Sequence, residues 1–250
     1  MDETRHSQAI ILNRSAYRES DSLVIVYTKE FGKMSLVARG TKKIHSKLAG
    51  HLEPISLADI LIIKGKGFDY IGSALTRDAY LNLKDNLNKI YYAGKAINCF
   101  GRLIKEDQSD ERLFFLLGRW LEVLDNYPNN DFTKENGEIF FIFFALKLLS
   151  ELGYKPEMYK CLNCHEKVSP GKNYFNLING GIVCEKCLEK ERIEKGIELT
   201  QLQLISDNCL KLMRFIMDNK LDMAKRLRLD RRVIKELSSL TVNFLNFQSN

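Results

Sequence analysis

Apolar and polar positions along this chain follow two different periods. Over residues 7 to 80 the apolar residues come in short runs rich in Val, Ile, Leu and Tyr; from Asn82 they recur at helical spacing. Five runs, SQAIILNRSAY, SLVIVYTKE, KMSLVARGT, SLADILIIKGK and YIGSALTRDAY, predict five strands. Phe31-Gly32-Lys33 marks a tight turn between the second and third, and Gly65-Lys66-Gly67 one between the fourth and fifth. The third and fourth are joined by a longer basic connection, GTKKIHSKLAGHLEP, with room for a helical turn. Five short strands with such a connection before the fourth predict a small OB-type barrel; an SH3-like barrel or a sandwich shares the pattern.

In the helical part, Leu87, Ile90, Ile97, Phe100 and Ile104 are expected to share one face of a helix ending near Glu106. Ser109 is the expected N-cap of the next, whose stripe is Leu113, Leu116, Leu117, Trp120 and Leu124, and Tyr127-Pro128 stops it. Thr133 caps a third helix that runs to about Leu152, before Gly153. Its stretch from Ile139 to Leu149 is too short to span a bilayer, carries Lys147, and reads as a helix buried on most sides. Two or three further helices are expected between about 198 and 246, with Met213, Phe215 and Met217 in the core.

Between these helical stretches lies the strongest chemical signal. Cys161-Leu-Asn-Cys164 and Cys184-Glu-Lys-Cys187 are two Cys-x-x-Cys pairs separated by nineteen residues. Four thiolates around one Zn²⁺ close a tetrahedron and leave no position for a substrate, so the expected cofactor is one structural zinc. Lys160, Lys167 and Lys186 would offset part of the negative charge. The intervening YFNLINGGIVC reads as a hairpin turning at Asn179-Gly180-Gly181, which makes the whole a zinc ribbon. Cys161-x-x-Cys164-His165 also fits haem attachment, but that leaves the second pair unexplained. A thioredoxin-like pair needs a βαβ setting, and disulfides need an oxidising compartment, which MDETRHSQAI at the N-terminus does not announce. His165 is expected to be a surface neighbour. Cys99 and Cys209 fall in helical patterns and read as small buried or half-buried apolar groups.

Composition changes this picture little. The 250 residues are 45% hydrophobic and 28% charged, ordinary for a soluble protein, and the expected location is the cytoplasm, with no membrane partner. The expected domains are 1–80, the barrel; 81–155, the first part of a helical domain; 156–195, the ribbon; and 196–250, the second helical part. The net charge of +6 is unevenly placed. Residues 32–66 hold seven Lys or Arg against Glu53 and Asp59, and residues 201–235 hold nine against four Asp. Such clusters suit a polyanion, although solvated charge on a soluble protein looks the same. In a strand-rich nucleic-acid binder, cations track phosphates and aromatic rings stack on bases. Arg39, Lys42, Lys43 and Lys47 are the candidate DNA contacts, with Lys64 and Lys66 at the edge and Arg14 and Arg18 extending the groove. Tyr17, Tyr27, Phe31, Phe68 and Tyr70 are the aromatic candidates, each competing with a role in core packing.

No phosphate-binding loop, dinucleotide fingerprint or metalloprotease spacing occurs, and the expected catalytic set is none. In their order, the strands, basic loop, helices and four-cysteine ribbon resemble the RecO family of bacterial recombinational repair proteins. The stretches that carry the resemblance are GKMSLVARGTKK with HLEPISLADI, YYAGKAINCFGRLIKEDQSDERLFFLLGRWLEVL, and ELGYKPEMYKCLNC through VCEKC. The basic stretch departs from the usual wording, with Thr41-Lys42-Lys43 where Arg is common.

The resemblance implies an α+β protein: an N-terminal OB-type β-barrel followed by a helical bundle with an inserted four-cysteine zinc ribbon. It implies no enzyme. The function it implies is to bind single- and double-stranded DNA, anneal complementary strands and, with RecR, load RecA onto strands coated by single-stranded-DNA-binding protein. RecF is a further implied partner, as is the acidic, hydrophobic C-terminal tail of the coating protein. A pocket for that tail needs cations beside apolar residues, and Arg102, Lys105, Arg112 and Arg119 lie near Leu113, Leu116 and Trp120. Two alternatives are an RNA- or transcription-related binder of the same parts, which would prefer RNA, and a protein–protein adaptor, whose binding would be insensitive to salt.

Overall fold

The computed structural model of the chain describes residues 4–106, 108–195 and 201–248. All five expected strands form: β1 (Thr4–Ala16), β2 (Ser22–Thr28), β3 (Gly32–Ala38), β4 (Ser56–Ile63) and β5 (Tyr70–Asp78). In β4 every second residue, Ser56, Ala58, Ile60 and Ile62, is buried, as the two-residue repeat of a strand dictates. Ala58, Ile60 and Ile62 meet Ala9, Ile11, Val24, Val26, Leu36, Ala38 and Ile71 in one core, which also holds Leu52 from the 3-10 turn Ala49–Leu52. Ile10, on the face of β1 opposite Ala9 and Ile11, is buried too, near Gly118; a register shift falls just after it, between Ile11 and Asn13.

Strand order in this sheet is β1-β2-β3-β5-β4, with β4 lying back along β1. Here the expected architecture is corrected. The ladders β1–β2, β1–β4, β2–β3 and β4–β5 each extend over seven or eight residue pairs, but β3 meets β5 at one parallel pair, Val37 with Tyr70. The sheet is therefore not a barrel closed by a ladder along every seam. Gly40, at φ +66°, turns the chain into the basic loop just past the end of β3, so β5 finds only Val37 and the hydrogen bond from its N–H to Asp69 O (2.9 Å).

The chain forms two compact units, 1–132 and 133–250, and the helices are divided between them. The first unit holds the five strands with α1 (Leu81–Lys84), α2 (Leu87–Leu103) and α3 (Glu111–Asp125). Tyr27 stacks edge-on against Phe100 of α2 at 4.9 Å, and its hydroxyl donates to Asp110 O. Lys33 Nζ donates to Gly101 O (2.6 Å) and Ile104 O (3.3 Å), supplying a cation at the C-terminal end of α2. Asn86 and Asp110 are the N-caps, the latter in place of the expected Ser109. The buried face of α2 also differs from expectation: Lys89, Tyr92, Ala93, Ala96, Ile97 and Phe100 face inward, and Leu87 is exposed. Lys89 reaches in to donate to Tyr127 O (2.5 Å) and Asp125 O (3.2 Å), carbonyls freed at the end of α3, which meets the cost of burying its charge.

Gly32 is a position where only glycine fits. Its φ is +71°, and a Cβ there would lie 2.2 Å from Gln108 O. Gly32→Ala is expected to destabilise the first unit by about 2–4 kcal/mol. Urea unfolding measures this; an unchanged midpoint would mean that the chain at Gln108 moves aside freely.

The second unit is built on α4 (Lys134–Glu151), opened by a capping box of Thr133 and Asn136. Residues Ile139 to Leu149 are buried on all sides except at Lys147, whose Nζ donates to Met217 O (2.7 Å). That carbonyl lies at the end of α6 (Asp207–Asp218), and α7 (Arg231–Gln248) completes the helical layer. The strands β6 (Glu157–Cys161), β7 (Asn173–Asn176), β8 (Gly181–Cys184) and β9 (Leu202–Ile205) form one sheet in the order β6-β8-β7-β9, with α5 (Glu185–Lys195) following β8. The expected hairpin is β7–β8, turning at Gly180 (φ +61°). Strand β9 was not expected; it extends the ribbon beyond the cysteines. Phe175 meets Phe244 of α7 edge-on at 5.2 Å, which joins the ribbon to the helices. The expected boundary at residues 195 and 196, and the start of the expected helix at 198, meet the stretch 196–200, outside the described residues.

Candidate functional site

The basic loop after β3 is an ordered structure with a firm base. Gly40 N–H donates to Asp21 Oδ1 (2.9 Å), Ser22 and Thr41 share a buried hydroxyl hydrogen bond (2.7 Å), and Lys42 N–H donates to Ser20 O (3.0 Å). Beyond that base, Arg39, Lys42, Lys43 and Lys47 line one hollow of about 710 Å³ with Ile44, His45, Ser46 and Leu48. All four cations are solvent-exposed. The loop thus collects the four central candidates around one space, open to solvent and positive on its walls.

Two aromatic contacts extend the site. The Arg39 guanidinium lies 3.8 Å from the centre of the Tyr70 ring, and Tyr17 meets Phe68 edge-on at 5.7 Å. Arg18 lies 5.2 Å over Tyr17, and its carbonyl accepts from Lys42 Nζ (2.9 Å). The turn before β2, the basic loop and the turn before β5 therefore converge at one place, although they are far apart in sequence. Tyr17 and Phe68 are exposed and Tyr70 half-buried. Tyr27 and Phe31 are not part of this surface: Tyr27 is fully buried, and Phe31 packs on the core. Burial also pushes the Tyr27 hydroxyl above its ordinary pKa.

Among the outer candidates, Lys66 is exposed and Lys64 lies 3.7 Å from Asp69. Arg14 is engaged within the fold: it donates to Ala49 O (2.7 Å) and pairs with Glu53 (2.7 Å), bracing the far end of the basic connection. Two of the four cations suggested for a partner tail are engaged within the first unit. Arg112 holds the Asp110 carboxylate through two hydrogen bonds, and Arg119 pairs with Glu122. Arg102 and Lys105 are exposed; of the apolar residues named with them, Leu113 and Trp120 are buried and Leu116 is half-buried.

In the second unit the four cysteines do come together. The sulfurs of Cys161, Cys164, Cys184 and Cys187 all lie within 4.8 Å of one another, and Cys164 and Cys184 are 4.0 Å apart. Thiolates about 2.3 Å from a common zinc sit about 3.8 Å from one another, so the group fits one tetrahedral ion. The knuckle is shaped by backbone bonds from Cys161 N–H to Glu166 O (2.9 Å) and from His165 N–H to Cys161 O (3.0 Å). Cys184 N–H points at Cys161 Sγ (3.4 Å). Burial pushes the Cys161 thiol up, but the N–H groups of Cys164, Cys184 and Asn163 outweigh it and bring its pKa down to about 7. The backbone donors thus favour the thiolate form of Cys161. His165 is exposed and outside the ligand group, as expected. Cys99 is held up to about 11 by burial, an inert thiol.

Sequence reasoning did not pair Tyr17 with Phe68 or stack Arg39 on Tyr70, since neither contact is local. Nor did it single out Ile44, which stands almost fully exposed among the lysines. Among the described residues no helix is long and apolar enough to cross a membrane.

Comparison with known proteins covers almost the whole chain. The family model "Recombination protein O N terminal" matches residues 1–80, and "Recombination protein O C terminal" matches residues 84–250. The DNA repair protein RecO of Dehalococcoides mccartyi strain BAV1 is 30% identical over 232 residues, covering 92% of this chain and 85% of that protein. The DNA repair protein RecO of Roseiflexus sp. strain RS-1 is 29% identical over 247 residues, covering 98% and 81%. That of Alkaliphilus metalliredigens strain QYMF is 25% identical over 252 residues, covering 97% and 96%.

Proposed function

The chain belongs to the recombination protein O family, and on that premise we propose that it is a non-enzymatic DNA-binding mediator of recombinational repair. It binds single- and double-stranded DNA, anneals complementary strands, and with RecR helps load RecA onto strands coated by single-stranded-DNA-binding protein. RecF and the tail of the coating protein are further partners in this reading, and the cytoplasm, at the nucleoid, is its location. The observation that supports it best is the gathering of Arg39, Lys42, Lys43 and Lys47 around one open hollow, with Arg18 and the rings of Tyr17, Phe68 and Tyr70 beside it.

In this reading each part has a physical task. The loop cations neutralise phosphates, and the exposed rings offer faces on which bases stack without regard to sequence. Lys64 and Lys66 border the path, whereas Arg14 shapes it through Ala49 and Glu53. Two complementary strands repel each other, and shared positive charge lets them approach closely enough to pair. The ion held by the four cysteines is one zinc with a structural role: four protein sulfurs complete its coordination.

The test is a titration of labelled single-stranded oligonucleotide at several salt concentrations. If all four loop cations meet phosphates, log affinity falls against log salt with a slope of about −3 from this loop. Complementary strands carrying donor and acceptor dyes should pair faster with the protein than without it. Failure to bind at low salt, or a flat salt dependence, overturns the reading in favour of a protein adaptor. A marked preference for RNA overturns it in favour of an RNA binder.

A further inference from the structure

Ile44 has the highest fractional exposure, 97%, of the exposed large hydrophobic residues in the described chain. A single exposed isoleucine is ordinary on a protein surface. Its setting is not. Lys43 N–H donates to Gly40 O (3.2 Å) and Ser46 N–H to Lys43 O (3.0 Å), so two successive turns place Ile44 at an outer corner of the loop. Ser46 Oγ then accepts from Leu48 N–H (3.4 Å) and Ala49 N–H (3.3 Å), fixing the return of the chain. The loop therefore holds an apolar, β-branched side chain out toward solvent, among the Lys42, Lys43, His45 and Lys47 that line the same hollow.

We propose that Ile44 is a wedge that enters between adjacent bases while the surrounding cations hold the backbone. This rests on the DNA-binding reading above and adds to it a contact with the bases themselves. Apolar side chains inserted at a base step partly unstack it, and flanking cations are what bring the step within reach. A base step accepts one such side chain. An anionic membrane is the other polyanion an apolar-tipped basic loop can meet, but surface binding there scales with apolar area, and one isoleucine supplies little. The planar groups nearby, Tyr17 with Phe68 and Arg39 on Tyr70, suit bases better than acyl chains. For an annealing protein the wedge has a use: bases held unstacked are bases free to find their complement.

The experiment places 2-aminopurine, whose fluorescence rises on unstacking, in a single strand and in a duplex, and compares the protein with Ile44→Ser and Ile44→Leu. The wild-type protein should raise the fluorescence at saturation. Ile44→Ser should lose most of that rise and about tenfold in affinity while keeping the salt slope, because every cation remains. Ile44→Leu should restore the signal. Equal fluorescence from wild type and Ile44→Ser, with binding intact, overturns the wedge and leaves the DNA-binding reading standing. So does an Ile44→Ser defect confined to vesicles of anionic phospholipid. Absence of oligonucleotide binding by the wild-type protein overturns both.

Discussion

Cys184→Ser is expected to release the metal and melt the ribbon while the first unit stays folded. The ribbon's own core is small, with Met158, Val168, Phe175, Ile182 and Val183 its main buried apolar residues. A layer of that size does not stabilise itself, and the metal takes the place of the missing core. Binding of a structural zinc contributes about 10–16 kcal/mol in small zinc-dependent folds, and the loss of one thiolate in four forfeits much of it. The damage should spread to α7, because Phe175 packs on Phe244 and a Cβ at Gly180 would lie 2.8 Å from the same ring. Elemental analysis should find about one zinc per wild-type chain and close to none in the variant. Calorimetry should show a transition lowered by more than about 10 °C, with a second one unchanged. Iron in the wild-type protein, or no metal in protein prepared without chelator, sinks the assignment. An unaltered melting profile in a metal-free variant sinks the structural role.

The two sites were legible in the sequence to different degrees, for a physical reason. A metal centre made of two Cys-x-x-Cys pairs is encoded locally: each pair forms its own knuckle, and the spacing between them is that of a hairpin. The four cysteines that the fold brings together could therefore be named from the chain alone. The five strands were legible for the same reason, since alternation within β4 needs no knowledge of its neighbours. What joins β3 to β5 was not legible. That seam depends on where Gly40 diverts the chain, and it leaves one residue pair where a closed barrel was expected. The division of the helices also lay beyond the sequence. Helical periodicity says which face of α2 is apolar on average, yet Lys89 faces inward because the carbonyls of Asp125 and Tyr127 await it, and Leu87 faces out. Charge was legible as a cluster but not as a surface. Arg14, Arg112 and Arg119 read like the loop lysines in sequence, but the fold places carboxylates beside them.

Replacing Lys42 and Lys43 together by Ala should weaken binding to all DNA sequences about equally and flatten the salt dependence. Each phosphate neutralised on a single strand contributes about −0.7 to the slope of log affinity against log salt, so two lost contacts reduce it by about 1.4. Over a tenfold range of salt, the wild-type protein would lose about 25 times more affinity than the variant. The substitution is safe for the fold: both side chains are exposed, and the base of the loop is held by backbone and by Asp21, Ser22 and Thr41. Lys42 is the less simple of the two, because its ammonium donates to Arg18 O and helps to fix the neighbouring turn. Lys43→Ala alone should therefore account for about half of the change, about 0.7, with the turn undisturbed. Strand annealing should slow in the double variant, because less positive charge is left to bring two polyanions together. A folded double variant with the wild-type slope would mean that the lysines only solvate the loop. Attention would then move to Arg226, Arg228, Arg231 and Arg232 in the second unit. Of these, Arg231 already pairs with Glu135 (2.9 Å) and Arg228 donates to the carbonyls of Lys225 and Leu227, which leaves Arg226 and Arg232 to be replaced first.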